Sequence, residues 1–373
     1  VIRWAAPARR AAPGLRHLAE AGVPAEAWLD GPEALPAGLD LPFVPWDAEA
    51  LAAGLSAGDV LVADLDPEAL PGLARLCLER LAHLVAPAFA PGLEALAPEA
   101  RAAGVALVSG IGFDPGLGTL MAHWLVDDCR RSGALASHPQ DTALSLLIHA
   151  GAFPADPGPF RQKFAAPPSD FLAALARPAR LRRHFSALSV AHPWDALTRL
   201  AAPLAAPETF EALPLGDSLA MAEAFHLDPL WPVRNLARGA LLPLGWAEAW
   251  ANVLDAIASG AATGELAQRL WQEHPLGPTE PDRAVVVASL TAERAGRPVY
   301  SQSWALDARA DLRGGARDRL DSGLAARAAE ALLAREIPPG VHGAPADLRL
   351  VLRWLEAAQG LAQYARVVDH LRR

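Results

Sequence analysis

One carboxylate stands in a glycine-rich bend at Gly110 to His123, GIGFDPGLGTLMAH, directly after the apolar run VALVS. Gly112 and Gly116 let the backbone turn and approach a ligand closely, and Pro115 stiffens the bend. Asp114 then projects where open α/β sheets bind ligands, at the carboxyl end of a strand. Two roles suit it: holding a substrate ammonium group, or capping the helix whose pattern comes next. Lys163 is the only lysine among 33 basic residues. A lysine can give up a proton at a lowered pKa, which arginine cannot, so Lys163 is either a proton donor or a lone surface charge. His123 and His149 are weaker acid–base candidates, since a single histidine usually makes structural hydrogen bonds.

These residues need elements to hold them. From Val1 to about His123, short apolar runs alternate with alanine- and leucine-rich stretches. VIRWA, AEAWLD, DVLVADL (Asp59 to Leu65), HLVAPAF and VALVSG read as strands, and Pro13 to Ala21, Pro67 to Arg80 and Glu94 to Ala103 as helices. Strands without polar alternation, separated by helices, are the pattern of βαβ units. His138 to Phe171 is dense in proline and glycine and reads as loop. Ala284 to Ala308 reads as a hairpin turning at Ala295 and Gly296. Ser322 to Glu336 and Ala346 to Leu371 read as helices. The fold expected is α/β: a Rossmann-like doubly wound parallel sheet (1–121), an inserted α+β substrate and dimerisation domain (122–336), and a C-terminal segment with a helix returning to the first domain (337–373).

A Rossmann-like first turn should carry G-x-G-x-x-G, so that a pyrophosphate can reach backbone N–H groups. Here the turn has Ala6, Pro7 and Ala8, with no glycine before Gly14. Either Arg9 and Arg10 compensate by pairing with phosphate charge, or the turn binds nothing. Asp30, ending the second strand, is placed for the ribose hydroxyls of NAD or for a turn, and Asp64 joins the cofactor-side candidates. Arginines nearby leave the choice between NAD and NADP open.

Composition excludes several classes. A net charge of −9 without a basic block argues against a nucleic-acid partner. No apolar run of about 20 residues argues for a membrane span. Cys77 and Cys129 have no metal-ligand spacing, so no metal site is expected. A cytoplasmic location is the default expectation.

GIGFDPGLGTLMAH resembles the G-[LF]-D-P-G segment of the saccharopine dehydrogenase family. PFRQKFAAPPSDFLAAL, from Pro159, is similar to its YKFSWSP region, which places Lys163 on the family lysine. ETFEALPLGDSLAMAEAF resembles the family's PNRDSLPY stretch, and WPVRNLARGALLPLGWAEAW is similar to the segment C-terminal to that stretch. Asp217 and Ser218 thereby join the substrate-side candidates. The resemblance implies a homodimeric NAD- or NADP-dependent oxidoreductase acting on an amino acid joined through a secondary amine to a second acid. Carboxylates of such a substrate favour bidentate arginine, so Arg161, Arg234 and Arg238 become candidates, with solvated or helix-capping charge as the alternative. Leu215 and Gly216 replace the family Asn-Arg pair, Gly118 and Thr119 replace a polar pair, and Ala165, Ala166 and Pro167 replace polar residues. The alternative is therefore a non-catalytic relative acting as a binding or assembly module.

Overall fold

The computed structural model describes residues 1–30, 39, 41–135, 141–227, 231–277 and 279–372. In chain order its strands are β1 Ile2–Pro7, β2 Ala25–Asp30, β3 Phe43–Pro45, β4 Val60–Ala63, β5 His83–Ala86, β6 Ala106–Ser109, β7 Thr142–Pro154, β8 Ala179–Arg183, β9 Ser186–Val190, β10 Thr198–Ala202, β11 Glu208–Pro214, β12 Val233–Pro243, β13 Asp282–Arg294, β14 Arg297–Arg309, β15 Gly340–His342 and β16 Tyr364–Asp369. The helices are α1 Ala8–Glu20, α2 Ala48–Gly54, α3 Leu70–Arg80, α4 Ala97–Ala103, α5 Gly118–Arg131, α6 Ser169–Leu175, α7 Met221–Ala224, α8 Trp246–Ala249, α9 Ala251–Ala258, α10 Thr263–Glu273, α11 Ala316–Leu333 and α12 Leu348–Leu361. Two units result: Val1–Leu120 with Asp311–Leu361, and Met121–Ala310 with Ala362–Arg373.

The first unit is a parallel sheet in the order β15-β6-β5-β4-β1-β2-β3. Its strands are apolar on both faces because helices cover both, as parallel sheets require. On one face Ala5, Leu61, Ala63, Leu84 and Leu107 form one core with Leu51, Leu70, Ala74 and Cys77. α1 packs along α11. Ala8, Ala11, Ala12, Leu15 and Leu18 are buried at helical spacing, so the helix starts at Ala8 and Pro13 lies inside it rather than at its start. The expected start at Pro13 relied on proline at the first helical position, whereas alanine propensity and burial extend the helix upstream. α11 belongs to this unit, with the wholly buried Arg319 paired to Asp311 and donating to the Leu361 carbonyl at 3.1 Å. The boundary expected at residue 336 thus falls instead near Asp311.

The second unit holds a mixed sheet in the order β10-β11-β12-β7-β13-β14-β16, with β8 on β12 and β9 on β8. β7 lies within the stretch expected to be loop. Its first nine residues, TALSLLIHA, are apolar enough to form a strand, and no proline falls within it before Pro154. The hairpin β13–β14 turns at Ala295 (φ 48°) and Gly296 (φ 73°), the left-handed pair that tight hairpins use. The expected last helix ends at Leu361, and Tyr364–Asp369 instead forms β16 against β14. YARVVD is β-branched and ends a sheet edge, a tertiary pairing that local helix pattern cannot anticipate.

Gly14 sits in α1 where a Cβ would collide with the Trp4 ring and stand 2.8 Å from the Ser322 carbonyl of α11. Gly14→Ala is expected to cost about 1–3 kcal/mol in chemical denaturation. Gly72→Ala in α3, with nothing within 4 Å of its would-be Cβ, should be neutral or stabilising by up to about 1 kcal/mol.

Candidate functional site

At the carboxyl edge of the first sheet, β1 passes into α1 without a loop. Pro7 both ends the strand and caps the helix, no side chain caps the helix start, and no acid lies in its first turn. Ala6 and Ala8 are each 2% exposed, so the turn presents little surface. Arg10 donates to the Asp64 carbonyl at 2.9 Å and pairs with its carboxylate at 3.3 Å. Arg9 pairs with Asp318 of α11 at 3.3 Å. Gly14 is buried in the helix against Trp4 and α11, so the structure gives it a packing position away from the turn. Asp30 ends β2 in register with Pro7, and its side chain lies outside the described residues.

Asp64 is the most perturbed acid of this edge. Its pKa is raised to about 6, chiefly by burial, with Arg10 opposing the shift and the neighbouring Asp321 and Asp318 adding to it. The cluster is therefore one of alternating charge in which the acids come from β4 and α11.

The Gly110–His123 bend forms a π-type turn, Phe113–Leu117, with a cis bond between Asp114 and Pro115. Gly112 donates to the Pro87 carbonyl at 3.0 Å, and a Cβ on it would overlap the Asp321 carboxylate. Asp321 Oδ1 accepts from the Phe113 N–H at 2.6 Å, and its Oδ2 pairs with Arg317 at 3.2 Å. A Cβ on Gly116 would overlap the Ile111 backbone. The two glycines thus admit close approach by protein atoms, where a ligand was expected. Asp114 is exposed, outside helical geometry at φ −135° and ψ 121°, and its charge acts on Arg317.

In the second unit Lys163 is ion-paired with Glu280, whose carboxyl it holds below the usual range. Arg161 adopts φ 64° and reaches over Gly245. Arg234 pairs with Glu293 at 2.5 Å. Arg238 lies four residues along β12, its N–H held by the Ser218 hydroxyl at 2.9 Å. Ser218 is buried and serves this backbone contact. Asp217 is exposed, paired with Arg180 at 2.6 Å, and accepts from the Leu219 N–H at 2.9 Å. His123 and His149 are both pushed down to about 4, chiefly by burial, with His226 and Arg130 adding to the effect on His123. Among the described residues no group of three metal-binding side chains occurs, and no helix is long and apolar enough to cross a membrane.

Sequence reasoning missed Asp318 and Asp321. Their spacing in DRLDS puts both on one face of α11, but nothing local says that this face meets Phe113, 208 positions upstream of Asp321, and Arg9, farther upstream still.

A parallel sheet in the order β3-β2-β1-β4-β5-β6, with the chain of a mixed-sheet unit inserted before its last strand, is a Rossmann-like α/β architecture. The particular fold is that of saccharopine dehydrogenase. The apo saccharopine dehydrogenase (L-Glu forming) of Saccharomyces cerevisiae superposes with a TM-score of 0.78, 18% identity and coverage of 98% of this chain and 99% of that one. The homospermidine synthase of Legionella pneumophila, solved in complex with NAD, gives 0.63 at 10% identity, covering 99% and 91%. The α-aminoadipic semialdehyde synthase of Arabidopsis thaliana is 24% identical over 188 residues, 49% of this chain and 17% of that protein. The chain thus spans under a fifth of the length of that relative. No protein-family model matches the chain.

Asp64 gives a test of this edge. Its ionised form is disfavoured in the fold, so the wild type gains stability as pH falls from about 6 to 3.8, by about 3 kcal/mol at most. Measured by urea unfolding, Asp64→Asn should lack that gain, so its stability relative to the wild type should be highest at pH 7 and fall toward pH 4.

Proposed function

We propose that this protein is an oxidoreductase of the saccharopine dehydrogenase type, dependent on NAD or NADP. Its substrate class is an amino acid whose nitrogen is a secondary amine bearing a second acid. The observation that carries the reading is the start of α1: an uncapped helix N-terminus with two arginines and no acid in its first turn, at the carboxyl edge of a doubly wound sheet. The near full-length likeness to a saccharopine dehydrogenase and to an NAD-bound homospermidine synthase supports it.

The residues fit a pyrophosphate held by guanidinium groups in place of a glycine cradle. Arg10 and Arg9 would neutralise its charge bidentately once released from Asp64 and Asp318. Asp30 is proposed for the ribose hydroxyls. The nicotinamide, when bound, supplies the hydride acceptor or donor for the C–N carbon of the substrate, and water then splits the resulting imine. In the first unit Asp114 is proposed as a partner for an ammonium group, and in the second unit Arg161, Arg234 and Arg238 are each proposed as partners for carboxylates. Lys163 is proposed as a proton donor, which requires it to leave Glu280. A homodimer in the cytoplasm completes the reading.

A second reading, a non-catalytic relative, is favoured by the burial of Ala6 and Ala8 and by the ion pairing of Arg9, Arg10 and Lys163. Titration with NADH and NADPH, followed by nicotinamide fluorescence, separates the two. Saturable binding in the micromolar range is expected, weakened about tenfold or more in Arg10→Ala. Absence of binding up to about millimolar concentration by folded protein would install the second reading.

A further inference from the structure

The hairpin of β8 and β9 leaves one strand of the second unit with an unused side. β9 pairs with β8 alone, Arg183 facing Ser186, Leu181 facing Leu188 and Ala179 facing Val190. Ser186 to Ser189 are exposed and Val190 is half-buried. The strand, SALSV, carries no charge, proline or bulge, which are the devices that protect a free sheet edge.

The backbone phase of this edge is fixed by bonds on the far side of β8. Arg180 donates its N–H to the Gly216 carbonyl and its carbonyl accepts from the Ser218 N–H, both at 2.8 Å, and Arg182 faces Leu236 of β12. Arg180 and Arg182 therefore point their backbone groups away from β9, and Ala179, Leu181 and Arg183 point theirs toward it. Their bonded partners across the ladder are Val190, Leu188 and Ser186. The N–H and C=O groups of Ala187 and Ser189 consequently face outward, and none of them is hydrogen-bonded among the described residues.

The hairpin is held in place. Its two-residue turn puts His184 at φ 50° and Phe185 at φ 71°, left-handed values that such a turn needs and that glycine or asparagine would adopt at less cost. The His184 N–H donates to Asn235 Oδ1 at 3.2 Å and the Phe185 N–H to the Arg234 carbonyl at 2.9 Å. Leu181 is 2% exposed and anchors β8, whereas Leu188, on the same side of the sheet, is 38% exposed.

We infer that β9 is a pairing edge for β9 of a second copy of this chain, antiparallel about a two-fold axis at Leu188. The inference rests on the homodimer of the reading above and gives that dimer a surface. Such pairing sets Ala187 opposite the partner's Ser189 and Ser189 opposite the partner's Ala187, so every outward donor and acceptor of the two strands is used. Leu188 then meets the partner's Leu188 in a non-hydrogen-bonded pair, where side chains stand closest. A second copy fits because the free groups are disposed symmetrically about Leu188 and no charge on β9 repels its own copy. The β8 arginines stand three strand spacings apart across the axis, about 14 Å, beyond a Debye length at physiological salt.

An edge of five residues buries less than a standard interface, so a dissociable dimer with a Kd in the micromolar range is expected. The test is sedimentation equilibrium of the full chain from about 1 to 500 µM. Leu188→Lys sets like charges opposite one another and should raise Kd about tenfold or more. Ser189→Pro removes an outward N–H that β8 does not use, and should weaken the dimer as much with an unchanged circular dichroism spectrum. Amide hydrogen exchange supplies a second readout: protection of Ala187 and Ser189 should rise with protein concentration, while Ser186, Leu188 and Val190 stay protected throughout. A monomer over the whole range would overturn the pairing and the homodimer together, with the oxidoreductase reading still decided by dinucleotide titration. A dimer of unchanged affinity in both variants, with Ala187 and Ser189 unprotected, would overturn the placement alone. Assembly growing past two chains would overturn the two-fold arrangement, because that pairing uses up the edge.

Discussion

The contact of α11 with the carboxyl edge of the first sheet organises the first unit. Two aspartates three residues apart on that helix, Asp318 and Asp321, meet Arg9 at the start of α1 and the Phe113 N–H in the Asp114 bend. The Ser322 carbonyl, one residue on, closes against Gly14 and the Trp4 ring. A helix can come this near only where side chains are missing, so Gly14 and Gly112 are both explained by α11. The same approach makes the edge acidic and decides how its arginines are used.

That contact marks the limit of what local pattern conveys. The parallel sheet was legible because its strands lack polar alternation, as VLVA and ALVS do, and because alanine-rich helical spacing lies between them. The hairpin was legible from Ala295 and Gly296. Glycine chemistry at Gly112 was legible as close approach, while the approaching atom was not: Asp321 lies 208 residues away from Phe113, whose N–H it accepts. Likewise α1 begins upstream of Pro13 because burial of Ala8 and Ala11 against other elements outweighs a local start signal. β16 forms because β14 offers an edge, which no window around Tyr364 contains.

Arginine is used in two ways in this chain. Most guanidinium groups named here are neutralised where they stand: Arg3 by Asp59 and Glu26, Arg283 by Asp307 and Glu208, Arg319 by Asp311. These pairs fasten strands or helix ends, and their partly buried setting makes loss of one partner costly. Arg182, Arg183 and Arg199 lack such partners among the described residues, although acids outnumber bases in the chain. Arg183 and Arg182 donate instead to the Ala196 and Phe185 carbonyls, and Arg199 stands exposed across the sheet from Glu211.

Arg10 stands between those two uses. Its partner Asp64 is a poor resting place for a carboxylate charge, since burial and the two α11 aspartates all favour its protonated form. Burial weighs most heavily against the Asp64 charge, Arg10 favours it, and the like charges of Asp321 and Asp318 oppose Arg10. A doubly charged anion at the α1 start would draw on the same guanidinium and on the helix N-terminus together. The Arg10–Asp64 pair is therefore weakened by its surroundings, and the turn is governed by charges on side chains rather than by glycine backbone. By bringing both aspartates to the sheet edge, α11 sets how costly the Asp64 charge is.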